Sequence, residues 1–186
     1  MRVGIRICGA GGQGVISAAN LLARCAVSKS LYAVQTQSYG PASRGGFSKG
    51  EVVVSDERIG YPFVKKPDIL VAMLQEAYDR FIDDVKESTL IIIDPDLVKG
   101  EGLEVKAKSV AGSIGSRQSA NIVMLGAMAP FLRLIEPEDL RRSIRERFSN
   151  EINLKCFDAG LEIGKKAGKK LRTKEIECKV EKEKAI

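Results

Sequence analysis

The sequence predicts an α/β fold, a three-layer Rossmann-like domain with a mostly parallel sheet and a helical C-terminal third. Three observations carry this. The apolar runs KPDILVAML (66–74) and STLIIIDPD (88–96) have the composition of strands covered on both faces. Segments with apolar residues at helical spacing lie between and after such runs, so strands and helices alternate. The first strand also runs straight into a glycine-rich turn, ICGAGGQG at 7–14, where an α/β crossover would begin.

Each element follows from local pattern. RVGIRIC (2–8) alternates and then turns apolar, as a strand does. VISAANLLARCAVSK places Val15, Ala18, Ala19, Leu22, Ala23 and Ala26 on one helical face, and its alanines allow close packing on a sheet. LYAVQT (31–36) is the second strand, and a loop rich in Gly, Ser and Pro is expected from Gln37 to Phe47. SKGEVVVSD is the third strand, expected near an edge because its first half is polar. Pro67-Asp68 leads into a buried strand. The amphipathic QEAYDRFIDDV follows, with Ala77, Tyr78, Phe81, Ile82 and Val85 on one face. Asp94-Pro95-Asp96 ends the next strand, its carboxylates read as caps for the following turn. The remainder, SRQSANIVMLGAMAPFLRLI, EPEDLRRSIRERFS and NEINLKCFDAGLEIGKKAG, reads as helices. Glu136-Pro137 opens the second of these, and Asn150 is the N-cap of the third.

At 186 residues the chain fits one domain whose core needs no disulfides. MRVGIRICGAGG enters a strand at once instead of a leader, and no apolar run approaches the roughly 20 residues that cross a bilayer. A cytoplasmic location without membrane association is expected. Cys8, Cys25, Cys156 and Cys178 are far apart and the chain has no histidine, so neither zinc nor an iron–sulfur cluster is expected. Cys8 and Cys25 read as buried thiols. The net charge is +6, but nine Lys/Arg against four Asp/Glu fall from Lys165 onward, which is +5. The body is thus close to neutral, and nucleic acid is not an expected partner. Residues 166–186 read as a basic tail, a solvated or frayed helix, beyond a domain at 1–165.

The spacing Gly9-x-Gly11-x-x-Gly14 fits a dinucleotide fingerprint. Glycines let backbone approach a phosphate, and the next helix start offers free N–H groups and a partial positive charge. A tight strand-to-helix turn explains the same glycines without a ligand. NAD itself fits poorly, because AVQTQSYG carries no carboxylate where the adenosine ribose would need one. No Gly-Lys-Ser/Thr follows, which excludes a Walker loop. TQSYGPASRGGFSKGE gathers Gln37, Ser38, Tyr39, Ser43, Arg44, Gly45, Gly46 and Lys49, and Arg44 could present a guanidinium to a phosphate. This loop would flank the cradle if the ends of strands one and two are neighbours. Asn121 and Gln118 could project into a cleft or satisfy backbone at a helix end. No nucleophile–base pair is apparent, so no catalytic residue and no metal site are assigned.

GAGGQGVISAANLLA, AVQTQSYGPASRGGFSKGEVVVSD, YPFVKKPDILVAMLQEAYDRF, IIIDPDLV and SANIVMLGA, in this order over about residues 3–165, resemble the gamma subunit of the 2-oxoacid:ferredoxin oxidoreductases. The TQSYGP form is most similar to the 2-oxoglutarate type, with pyruvate and ketoisovalerate types next. The resemblance implies a non-catalytic subunit of a complex that oxidatively decarboxylates a 2-oxoacid with coenzyme A and reduces ferredoxin. It implies that thiamine diphosphate, Mg²⁺ and iron–sulfur clusters sit in thiamine- and ferredoxin-type partner subunits and that coenzyme A is the co-substrate. Carried over, Gly11, Gly12, Gln13 and Gly14 face the coenzyme A phosphates, with Ser38, Arg44 and Gly45 on the same rim. A homodimer of the isolated chain is compatible with this. The alternatives are a stand-alone NADP-binding Rossmann oxidoreductase, with Arg44 on the 2′-phosphate, and a scaffold subunit that binds nothing small.

Overall fold

The structure, a computed structural model, describes residues 1–40 and 46–184, the last fourteen of these as backbone only. Six strands form one mixed sheet: β1 (Arg2–Ala10), β2 (Tyr32–Tyr39), β3 (Phe47–Ser55), β4 (Ile69–Ala72), β5 (Leu90–Ile93) and β6 (Leu103–Glu104). Their order is β2-β3-β1-β4-β5-β6. Pairings from β1 through β6 are parallel, whereas β3 runs antiparallel to both β1 and β2. Five strands therefore point one way and β3 alone opposes them. The expected mostly parallel sheet is present, with one reversed strand inserted between the first two.

That insertion corrects the expectation for β3, which is flanked on both sides; β2 is the edge strand. The reason lies in the polar half of β3. Arg6, 3% exposed in the middle of β1, donates from Nε to Glu51 of β3 at 2.7 Å. Its other nitrogens reach Asp84 at 2.7 Å and the Val64 carbonyl at 2.6 Å. Lys49 adds a second cation to Glu51 at 3.2 Å, and Arg6 lies over the Phe81 ring, 4.7 Å from its centroid. The polar residues of β3 are thus paired internally, as buried charge requires. The loop expected from Gln37 to Phe47 is also shorter, because β2 continues through Tyr39 and β3 begins at Phe47. Of its residues 40–46, those from 41 to 45 lie outside the described part.

Helix α1 (Val15–Ser28) packs on one sheet face, burying Val15, Ala18, Ala19 and Leu22 against Ile5, Ile7, Val52 and Val54. The same core takes in α3 (Ala107–Ile114), α4 (Ala120–Met128), α5 (Pro137–Arg147) and α6 (Glu151–Lys184). The opposite face is thinly covered: α2 (Gln75–Phe81) lays Ala77, Tyr78 and Phe81 on Cys8, Leu70, Ala72 and Ile93. β6 and α3 are additional to the predicted elements, being a two-residue strand and a short, Ser- and Gly-containing helix. Asp94, fully buried, caps α3: one oxygen accepts from Lys108 N at 2.9 Å and the other from Asp96 N at 3.1 Å. The helix expected across 116–135 is confined to α4, since one-turn 3₁₀ segments flank it and Pro130 lies in the second. Glu136 and Asp139 form a capping box on α5, and Asn150 accepts from Asn153 N at 3.4 Å at the start of α6. Residues 166–184 continue α6 without a break.

Helices α4 and α6 cross with their backbones in near contact. A Cβ on Gly126 would lie 2.1 Å from the Phe157 carbonyl oxygen, and one on Gly160 would lie 2.0 Å from that of Val123. Neither obstacle is a flexible side chain, so the helices themselves would have to part. Gly160→Ala should therefore destabilise the fold by about 2–3 kcal/mol, as core overpacking does. At roughly 2–4 °C per kcal/mol for a chain of this size, thermal unfolding checks this; an unchanged Tm would show that the helices separate freely.

Candidate functional site

The glycine loop lies where β1 ends and α1 begins, at the carboxyl edge of the parallel strands. Gly12 and Gly14 have φ of +90° and +71°, the left-handed region that only glycine enters readily. Asn121 of α4 holds the far end of the loop, its Nδ2 donating to the Gly14 carbonyl at 3.0 Å. Asn121 thus serves the loop backbone, while Gln118 is exposed.

Gln13 turns inward. Its Oε1 accepts from Ala10 N at 2.6 Å and its Nε2 donates to the Met73 carbonyl at 3.0 Å, tying the loop to the residue after β4. The space exists because residue 9 is glycine, where a Cβ would sit 2.4 Å from that Oε1. Gln13 therefore positions the loop, and both ends of its amide are engaged within the protein. Gly11 N donates to the Gly46 carbonyl at 3.0 Å and Gln13 N to the Ala10 carbonyl at 3.1 Å. What faces outward is Gly12, with open space around it, and the first turn of α1. That turn has no side-chain cap and no acidic residue, so its N–H groups and partial positive charge are available to an anion.

The rim differs from the sequence expectation. Ser38 pairs with Lys49 and Gln37 with Gly50. A Cβ on Gly50 would meet Ala19 of α1 at 2.7 Å, so alternation puts Gln37 and Tyr39 on the α1 side and Ser38 on the opposite face. The structure thus does not bring Ser38 to the cradle. Tyr39, 64% exposed, stands at that end of β2 on the correct side, and Ser48 closes the gap from β3, its hydroxyl 3.4 Å from the carbonyls of Gly9 and Ala10. Two-residue alternation through TQSY carries this signal once β2 is known to continue. Arg44 and Gly45 lie outside the described residues. The ends of β1 and β2 are not neighbours, because β3 lies between them and pairs with both.

Among the described residues the loop faces open space at Gly12. A cavity of about 370 Å³ lies beside α3, lined by Lys108, Ser109, Gly112, Ser113 and Arg117, and a groove of about 1110 Å³ lies at the amino edge between β1 and α6. Among the described residues no group of three or more His, Cys, Asp or Glu could hold a metal ion. Cys8, Cys25 and Cys156 are buried and unpaired. Burial pushes the Cys8 thiol up to about 12, which keeps it protonated. These residues do not fit an iron–sulfur cluster or a thiamine-type Mg²⁺. No helix among the described residues is long and apolar enough to cross a membrane.

Residues 4–163 match the family described as pyruvate ferredoxin/flavodoxin oxidoreductase. The 2-oxoglutarate synthase subunit KorC of Methanocaldococcus jannaschii is 44% identical over 181 residues, covering 89% of this chain and 95% of that protein. The gamma subunit of a keto/oxoacid ferredoxin oxidoreductase from Geobacter sulfurreducens superposes with a TM-score of 0.78 at 35% identity, over 88% of this chain and 97% of that one. The fold also recurs in the 2-oxoglutarate:ferredoxin oxidoreductase from Magnetococcus marinus, solved with 2-oxoglutarate, coenzyme A and succinyl-CoA bound. There the TM-score is 0.80 at 24% identity, and the match covers 88% of this chain and 31% of that one.

The inward Gln13 gives a test of the loop. Gln13→Leu strands the Ala10 N–H and removes the tie to Met73, and should cost about 1–3 kcal/mol. Thermal unfolding should show a Tm lower by several degrees; no change would mean that the amide does not hold the loop.

Proposed function

The chain belongs to the pyruvate ferredoxin/flavodoxin oxidoreductase family, and on that footing we propose that it is the non-catalytic gamma subunit of a cytoplasmic 2-oxoacid:ferredoxin oxidoreductase of the 2-oxoglutarate type, whose glycine loop holds a phosphate of coenzyme A. The complex joins coenzyme A to the acyl group left when a 2-oxoacid loses CO₂, and ferredoxin takes the two electrons. Thiamine diphosphate, Mg²⁺ and the iron–sulfur clusters belong, in this reading, to the thiamine- and ferredoxin-type partner subunits.

One observation carries the coenzyme A reading: the uncapped first turn of α1, opened by Gly12 and Gly14 at the carboxyl edge of the sheet. A pyrophosphate or phosphate docks there on backbone N–H groups and the helix dipole. Arg44 and Gly45 belong to the same rim in this reading, with Tyr39 a further contact candidate. Within the reaction this chain binds and orients the co-substrate, and the chemistry proceeds on its partners. The occurrence of the fold in an enzyme solved with coenzyme A supports the choice of ligand.

Ser17, exposed in the first turn of α1, separates ligand binding from folding. Ser17→Asp puts a carboxylate where the ligand phosphate would dock, yet a negative charge at a helix start is favourable to the fold. In the assembled complex, KM for coenzyme A should rise about tenfold or more, equivalent to about 1.4 kcal/mol, with KM for the 2-oxoacid and the subunit's Tm not worsened. An unchanged KM for coenzyme A would overturn the cradle. Arg44→Ala should raise the same KM selectively.

A further inference from the structure

β2 closes one edge of the sheet. It is eight residues long, YAVQTQSY, and pairs one-to-one with β3 from Tyr32↔Ser55 to Tyr39↔Ser48, with no bulge. Natural edge strands block further pairing by shortness, lysines, proline or bulges. The opposite edge obeys this, since β6 has two residues. β2 uses none of these devices: it is long and regular and contains neither a charged residue nor proline. Among the described residues its backbone bonds to no strand except β3, and the Gln35 side chain reaches only the Thr36 carbonyl, at 3.1 Å. Tyr32 and Tyr39, 47% and 64% exposed, mark its two ends.

We propose that β2 pairs antiparallel with β2 of a second copy of this chain, joining the two sheets into one across a twofold perpendicular to them. The edge presents unpaired backbone donors and acceptors, so its natural occupant is another strand. Self-complementarity selects a second copy. A twofold that keeps both α1 layers on the same side must centre on a residue, so that paired residues share a facing; the middle of β2 offers Gln35 or Thr36. In either register every cross-strand pair is uncharged, so the like-charge penalty that symmetry would otherwise double is absent. Centred on Gln35, Tyr32 lies opposite Ser38 of the second copy; centred on Thr36, Tyr39 lies opposite its Ala33. Either register seats an exposed tyrosine on the other copy's strand.

Sedimentation velocity of the full chain alone, at micromolar concentration, tests this directly. The chain should sediment at twice its mass. Gln35→Lys with Gln37→Lys sets lysines opposite each other near the twofold and should give a folded monomer. Should that variant unfold, cysteines carry the test. Residues opposed across such a twofold have Cα separations of about 4.5–5.5 Å, within disulfide reach. Either Gln35→Cys or Thr36→Cys should therefore cross-link on oxidation, whereas Glu57→Cys should not. A monomeric wild type, a folded lysine variant that still dimerises, or a dimer that neither central cysteine cross-links would each overturn the proposal.

Discussion

The architecture hangs on a single buried guanidinium. Arg6 lies in the middle of β1, on the thinly covered face of the sheet, and cannot remain there unpaired. Its partners come from three separate places: Glu51 on β3, Asp84 after α2, and the Val64 carbonyl on the segment before β4. Removing it would leave Glu51 buried with only Lys49 as a counter-cation, so the strands it joins are committed to one another. The Phe81 ring covers both cations, 4.7 Å from Arg6 and 5.3 Å from Lys49, and helps seal them from water.

From that commitment follows the unusual start of the sheet. Holding β3 against β1 displaces β2, the strand reached by α1, to the edge. A dinucleotide fold would set β2 beside β1, where a carboxylate at its end could meet a ribose. Here the start of β3 occupies that place, and its preceding residue, Gly46, accepts from Gly11. The glycine loop keeps the helix dipole and uncapped first turn of α1, and lacks a β2 end beside it that could meet a nucleoside. The same displacement leaves a regular, uncharged strand at the sheet edge.

Much of this was legible from local sequence. Apolar periodicity located the first five strands and most helices, and the glycine spacing marked the loop. Glu136-Pro137 and Asn150 capped their helices as their types and positions suggested. Other features resisted for identifiable reasons. The polar half of β3 reads as solvent-facing until Arg6 is known to lie opposite it. Gln13 reads as ligand-facing until Met73 is known to lie beneath it. Ser38 shares a motif with Tyr39 and Gln37, yet in a strand neighbours in sequence face opposite sides.

Local sequence settled the class of fold, the position of the glycine turn, and the wide separation of four cysteines in a chain without histidine. Period and composition act over one turn or one strand, so they can be read in order along the chain. Only the tertiary structure decided which strand stands beside β1, which way the Gln13 amide points, and which rim residues share a face with α1. Those depend on contacts such as Arg6–Glu51 and Gln13–Met73, 45 and 60 residues apart in the chain. A pairing at that separation leaves no periodic trace in either segment, because each partner's burial is satisfied only by the other.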